Sequence, residues 1–469
     1  MATRLQLSST ATPGYTHVDN LSNETAEVTA ELLTANHYSY HTKWKATFHN
    51  HLVHHLLALW ALGASPQEVR DMWNLNAAYQ APLEAPEKTA IPEIDLNDAS
   101  VFVEYLGQND RYADYLTFFE REIDQKGVST TLNQYLLKGD HAANDAFYRL
   151  FSDLLHPLIH LGCGLEFNQP KIIAEALAGA CVHESWPGTF LAEAETLVQK
   201  NTSLPSKTLL EVLHDLAADL RVKHGVKHTD PFNKIADGLL TRVSADRLAA
   251  YIAQFRLTPN PTSDELRSKM IDLMYTCAYM IGAAQRPGKR EAMDFVTLHT
   301  ATTCVFYPAI LSQESLSNSD KARILEASAR TSAVMYASCG SPKLHTGRIL
   351  DYAPRHPEGG WEALFRRAIC YPDEGHAAKL MRALYCAEQL GEPAPGFPIA
   401  KVDLIKIAHM GMDSVEAAFD EISGNKVPAA ASAILQRVGF GGEMVANNMT
   451  RWVYYGGLEH AWDHIPDLE

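Results

Sequence analysis

The chain has no apolar run long enough to span a bilayer; the longest stretches, such as 56–62, are far shorter than a membrane crossing needs. Its first residues, MATRLQLSSTATPGYT, are polar and carry no apolar signal segment, so a cytoplasmic protein off the membrane is expected. The seven cysteines (163, 181, 277, 304, 339, 370 and 386) are odd in number, and none are spaced C-x-x-C. Apolar neighbours around each one predict reduced core thiols and no disulfide framework. Basic charge is also short, with 40 Lys+Arg against 56 Asp+Glu and a formal charge of -16. That balance excludes a nucleic-acid partner, which needs a basic face.

Several motifs are missing too. No G-x-G-x-x-G joins a strand to a helix, and the glycine-rich pieces Gly439-Phe440-Gly441-Gly442 and Gly456-Gly457 have no strand before them. A P-loop, a G-x-S-x-G elbow and an H-E-x-x-H are absent; His183-Glu184 continues as Ser185-Trp186-Pro187. Redox chemistry would therefore need a metal rather than a bound dinucleotide.

Helical punctuation is present almost everywhere. Ser65-Pro66-Gln67-Glu68 reads as a capping box with proline at the first helical position, and Ser263 precedes Asp264-Glu265 and a long periodic run ending near Gly282. Further helical runs cover 24–35, 44–62, 110–125, 141–165, 170–182, 206–222, 289–306, 361–370, 374–390 and 413–423. Alternating Val/Ile/Thr segments between hairpin turns are not found. The expected fold is all-α: one large domain over 21–469 with roughly fifteen helices, and a loose tail over 1–20.

The chain contains 21 histidines. Two imidazoles four apart on a helix can reach one metal, but that spacing occurs five times (His37/His41, His51/His55, His156/His160, His224/His228, His460/His464) and is a weak signal. Context separates them. His224/His228 lie in a polar turn and His460/His464 in an acidic tail. His51, His54 and His55 lie in FHNHLVHHLLALWALGA, read as an amphipathic helix, and His156 and His160 in LLHPLIHLGCGLEF, where Pro157 should kink the helix. His299 interrupts MDFVTLHTATTCVFY; His376 opens GHAAKLMRALY, with Lys379 at i+3. A buried imidazole needs a hydrogen-bonding or metal partner, so the bland reading gives each its own carbonyl or carboxylate, and makes Lys379 a surface lysine.

These segments, namely Asn50-His51, His156 in HPLIHLGCGLEF, Leu298-His299 in LHTATT and DEGHAAK at 373–379, resemble the questin oxidase-like family of fungal aromatic-polyketide pathways. The likeness runs over about 30–450. It implies an all-helical oxygenase that opens a ring of an anthraquinone-type substrate with dioxygen, in secondary-metabolite biosynthesis. By resemblance to a non-haem iron dioxygenase of this family, the Fe(2+) ligands would be His51, His156, His299, His376 and Lys379 as its carbamate. His54, His55 and His160 would serve proton transfer or stand behind the ligands, and Tyr307, Tyr336, Tyr454 and Tyr455 would be pocket walls for a polycyclic aromatic substrate.

No Asp or Glu stands at H-x-D spacing from these four histidines; Asp294 is five residues before His299 and Glu166 ten after His156. A carbamate would fill the usual place of a carboxylate, and it requires Lys379 to lose its proton in a desolvated site. Five protein ligands would leave one position open, placing the organic substrate beside the metal. Two other readings stand beside this one: a Baeyer–Villiger-type monooxygenase drawing on NADPH as external reductant with the same substrate class, and a non-catalytic helical binding protein whose histidines are structural.

Overall fold

The computed structural model describes residues 5–45, 48–84, 94–201, 203–424 and 451–468. The Gly439-Phe440-Gly441-Gly442 stretch lies outside the described residues. The protein is all-α as expected, with twenty-one α-helices among the described residues rather than about fifteen. The one sheet named there is a two-stranded antiparallel hairpin, Lys43–Lys45 with Phe48–His49. No helix among the described residues is long and apolar enough to cross a membrane. All seven cysteines are free, and six are buried; Cys370 is exposed, which corrects the expectation that all seven are core thiols.

The chain divides into two compact units. The first comprises Met1–Leu191, Phe306–Ile324 and Glu374–Lys379. Its centre is the helix Pro170–Val182, packed against Tyr112–Leu132 and His156–Glu166. Two of its helices are buried on every side. All ten residues of Leu52–Ala61 and all eleven of His156–Glu166 are buried, so the first is no amphipathic helix but a core helix. Leu56 and Leu59, wholly buried, each contribute about 1.5–3 kcal/mol of apolar burial. Helices of this kind leave each imidazole they carry dependent on a partner inside the protein.

Pro157 does not kink a helix, as the sequence suggested; it sits in the first turn of His156–Glu166, where its missing N–H breaks no intrahelical bond. The run 44–62 is likewise not one helix. The hairpin occupies its first part, and His51 is the N-cap residue of Leu52–Ala61. Residues 5–20, expected to be loose, are tied down in the first unit. The Leu5 N–H donates to Thr34 Oγ1 (3.2 Å) and Gln6 N–H to Gln169 Oε1 (3.1 Å), while Glu166 Oε1 accepts from the N–H groups of Tyr15 (2.9 Å) and Thr16 (3.2 Å).

The second unit comprises Ala192–Val305, Leu325–Asp373 and Leu380–Glu469. Its long helix Ser263–Ala283, capped by the Thr262 side chain, packs against Phe295–Thr303 and Leu404–Gly424. The segment 451–468 closes onto the start of Phe295–Thr303. Val453 N–H donates to Met293 O (2.9 Å) and Phe295 N–H to Val453 O (2.7 Å), beside a cluster of Ala292, Val453, Ala461, Trp462 and Ile465.

Candidate functional site

Three helix starts in the first unit bring imidazoles together. His51 caps Leu52–Ala61, His156 is the first residue of His156–Glu166, and His376 is the first of His376–Leu390, whose opening turn belongs to this unit. The positive end of a helix disfavours an imidazolium there. His51 Nε2 lies 2.7 Å from His156 Nε2, with the rings 13° from parallel, and the His376 ring meets His51 edge-on at 4.9 Å. His156 Nδ1 donates to Asp153 O at 2.5 Å, which makes Nε2, the atom facing His51, the acceptor of the neutral ring. Burial, and then the charges of Lys379, His156, His376 and His54, hold His51 well below the usual imidazole range.

Lys379 is buried, at 2% exposure, which overturns the reading of it as a surface lysine. Gly375 makes the approach of its segment possible. Its φ is +94°, and a Cβ there would fall 2.7 Å from Cβ and Cγ of His55. A carboxylate is also present, where spacing downstream of histidine could not show it. Glu374 precedes His376 by two residues, and ligand atoms of His51, Glu374 and His376 lie within 4.8 Å of one another. Three imidazoles, one locked in tautomer, with a carboxylate and a lysine alongside, form a donor set that fits a first-row divalent metal. Asp294 and Glu166 are not part of it. Asp294 caps Phe295–Thr303 and accepts the Gly456 N–H at 2.7 Å, while Glu166 holds the N-terminal segment.

His54 and His160 occupy a second, continuous arrangement. His54 Nε2 stands 3.2 Å from His160 Nδ1, His160 Nε2 2.6 Å from Glu175 Oε2, Glu175 Oε1 2.5 Å from His37 Nδ1, and His37 Nε2 2.9 Å from Glu120 Oε1. Glu120 is 28% exposed and also accepts from Lys171 Nζ at 2.5 Å. Burial alone would lower His37, but its hydrogen bonds to Glu120 and Glu175 raise it to about 9. Burial pushes Glu175 up, yet the bonds from His160 and His37 bring it down to about 2. Spacing alone marked His37 only as a partner of His41. Glu175, in an alanine-rich helix, had no sequence signal.

His49, Asp153 and His183 are further residues with no site role legible in the sequence. The His49 ring stacks on His156 at 4.1 Å and 4°. His55 is buried against Gly375.

His299 lies in the second unit, fully buried in Phe295–Thr303, where its Nδ1 donates to Phe295 O at 2.7 Å. In that unit Tyr454 and Tyr455 line a cavity of about 300 Å³ with Phe232, His228, His460 and His464. Tyr454 meets Phe295 at 5.1 Å, and Phe295 meets His299 at 4.7 Å. The volume is at the lower end for a small-molecule site. Tyr336 is buried with its hydroxyl on Pro342 O (2.8 Å), and Tyr307, in the first unit, is buried in a short helix against His156–Glu166.

Comparison with known proteins agrees with the resemblance drawn from the sequence. A family model described as Questin oxidase-like matches residues 48–384. The chain is 40% identical to "Oxidoreductase AflY" of Aspergillus parasiticus, over 99% of this chain and 94% of that one. It is 34% identical to "Baeyer-Villiger oxidase AgnL3" of Paecilomyces divaricatus, over 86% of this chain and 89% of the relative. With a "Questin oxidase" of Aspergillus terreus it shares 32% identity, over 94% and 93%. A match over most of the chain, with relatives this similar over nearly their whole length, places the protein in the questin oxidase-like family.

Proposed function

We propose that the chain is an oxygenase acting on a ring of an anthraquinone-type polyketide by Baeyer–Villiger-type insertion of oxygen beside a ring carbonyl. The relatives named Baeyer–Villiger oxidase support this over the dioxygenase expected from the sequence. The single observation that carries an oxygen chemistry is the buried meeting of His51 and His156 at 2.7 Å, with His376 and Glu374 beside them. In the insertion, one oxygen atom of dioxygen enters between the carbonyl carbon and its ring neighbour. The other leaves as water, taking two electrons from NADPH supplied from outside and consuming one proton.

His51, His156, His376 and Glu374, with Lys379 as its carbamate, would hold a ferrous ion, which would supply the one-electron chemistry that dioxygen needs to react with a ring carbon. The Asp153 carbonyl orients His156 for that task. The chain from Glu120 through His37, Glu175 and His160 to His54 carries the consumed proton inward from the surface. A phenol held near His54 would in turn find a base there. A carbamate on Lys379 would form from the neutral amine, and burial of the side chain supports that reading.

A second reading, carbon–carbon cleavage by a dioxygenase, is favoured by the same imidazole group and by the lack of a dinucleotide fingerprint. Incubation with questin under ¹⁸O₂ separates the two. Insertion puts one labelled atom in the product and consumes one NADPH per turnover, starting from substrate that needs no prior reduction. Two labelled atoms with no NADPH consumed from the prereduced hydroquinone would overturn it in favour of the dioxygenase. A ¹³C carbamate resonance after ¹³CO₂ loading, lost in Lys379→Ala, tests the lysine.

A further inference from the structure

We propose that His49, Asp153 and His183 form a second metal site, one that takes a divalent first-row transition cation beside the His51–His156 pair. His183 Nε2 stands 2.7 Å from His49 Nε2; Asp153 Oδ2 lies 3.0 Å from His49 Nε2 and 3.8 Å from His183 Nε2. A cation at about 2.0–2.2 Å from each of three donors sets neighbouring donors roughly 3–3.5 Å apart. The sides of 2.7, 3.0 and 3.8 Å bracket that spacing, so shifts of a few tenths of an ångström bring the three donors onto one cation.

The tautomer of His183 agrees. His183 Nδ1 donates to the Gly179 carbonyl, one turn earlier on its own helix, which leaves Nε2 a lone pair facing the other two donors. Without a cation, the one proton on His49 Nε2 must serve both the His183 nitrogen and the Asp153 oxygen. With a cation, all three lone pairs are satisfied at once. Two imidazoles and one carboxylate suit Fe²⁺, Co²⁺ or Zn²⁺ and leave further positions open.

The backbone supplies an independent observation. Asp153, Leu154 and Leu155 have φ of +47°, +57° and +67°, three successive non-glycine residues in the left-handed region. Such a run is costly for residues with a Cβ and persists where its surroundings hold it. The turn sends the Asp153 carboxylate to His49 and His183 while the same residue's carbonyl receives the His156 Nδ1–H. A cation here would pin the 48–51 segment to the turn before His156, the two pieces of chain that carry His51 and His156. The opposing charge is Lys43, whose Nζ lies 3.9 Å from the same Asp153 oxygen, with Glu184 acting on it as well.

Anaerobic titration of the metal-stripped full chain with Co²⁺, read by ligand-field absorption and bound metal per chain, tests the site. His183→Ala and Asp153→Asn are each expected to lose one equivalent that His376→Ala retains, and Lys43→Met to bind that equivalent several-fold more tightly. If His183→Ala does not fold, the near-isosteric Asp153→Asn decides. Unchanged stoichiometry in Asp153→Asn, or an equivalent lost only in His376→Ala, overturns the second site and leaves the first group standing. An equivalent lost in Asp153→Asn and kept in His376→Ala supports it, even if the oxygenase reading fails.

Discussion

His37 and His51 are buried imidazoles of the same unit, and the protein holds them in opposite charge states. His37 lies between the carboxylates of Glu120 and Glu175, which keep it protonated to about pH 9. His51 faces His156, His376 and Lys379 and is held neutral well below the usual range. Burial penalises the cation in both places, so partners decide the outcome. The difference divides the work: a neutral imidazole can ligate a metal, whereas a cation locked between carboxylates can stabilise the fold and relay protons but cannot ligate.

The comparison can be broken most sharply at the neutral group. Replacing His51 or His156 by Ala is expected to take turnover of an anthraquinone substrate to background, with metal content falling alongside. Activity that survives either change places the chemistry elsewhere. His299→Ala, read by metal content, tests the remaining ligand that the family resemblance implied; unchanged metal content would remove His299 from the set. At the charged group the expected effect is on stability. Glu175→Gln leaves His37 without one of its two counter-charges in the interior and should cost about 3–5 kcal/mol in chemical denaturation. A loss under 1 kcal/mol would mean that His37 is neutral after all.

His160 links the two groups, so His160→Ala should lower turnover by roughly 10²-fold with little change in bound metal. An equal fall in both would make it a support of the metal group rather than a relay. The pH dependence follows from the signs. His37, raised from 6.5 to about 9, contributes stability that is complete below pH 6.5 and lost as pH rises through about 9. Glu175, lowered from 4.5 to about 2, contributes stability that is present above pH 4.5 and lost as pH falls through about 2. The melting temperature should therefore decline on both sides of a plateau near pH 4.5–6.5, and the alkaline decline should vanish in His37→Ala. The smallest effect is expected at the second unit's cavity. Tyr454→Ala should raise KM a few-fold and leave kcat unchanged, a loss of about 1 kcal/mol of stacking; an unchanged KM would remove Tyr454 from the substrate's path.

Much of the fold was legible. The Ser65 capping box forms as read, with Ser65 Oγ accepting the Glu68 N–H, and His376 opens its helix as expected. These are local signals carried by neighbours in the chain. What local pattern could not show was which helices are buried all round: Leu52–Ala61 reads as amphipathic because His54 and His55 are polar, yet both are core residues. Pro157 was misplaced within its helix because the left-handed turn before His156 leaves no mark in composition. Of the site, His51, His156, His376 and Lys379 were named before the structure and come together in one unit. Glu374, His49, Asp153 and His183 were given no place in a site, because the groups they join include partners distant in sequence.

By itself the sequence determined the helical class, the lack of a G-x-G-x-x-G motif, the family likeness and the short list of histidines set among apolar residues. Tertiary structure decided which of them are cations. It also decided which face other imidazoles and which are engaged by a carboxylate. The reason is the range of the forces involved. Periodicity and capping act over a few residues, whereas the charge of a buried imidazole depends on groups such as His156, which stands 105 residues from His51 along the chain and 2.7 Å from it in space.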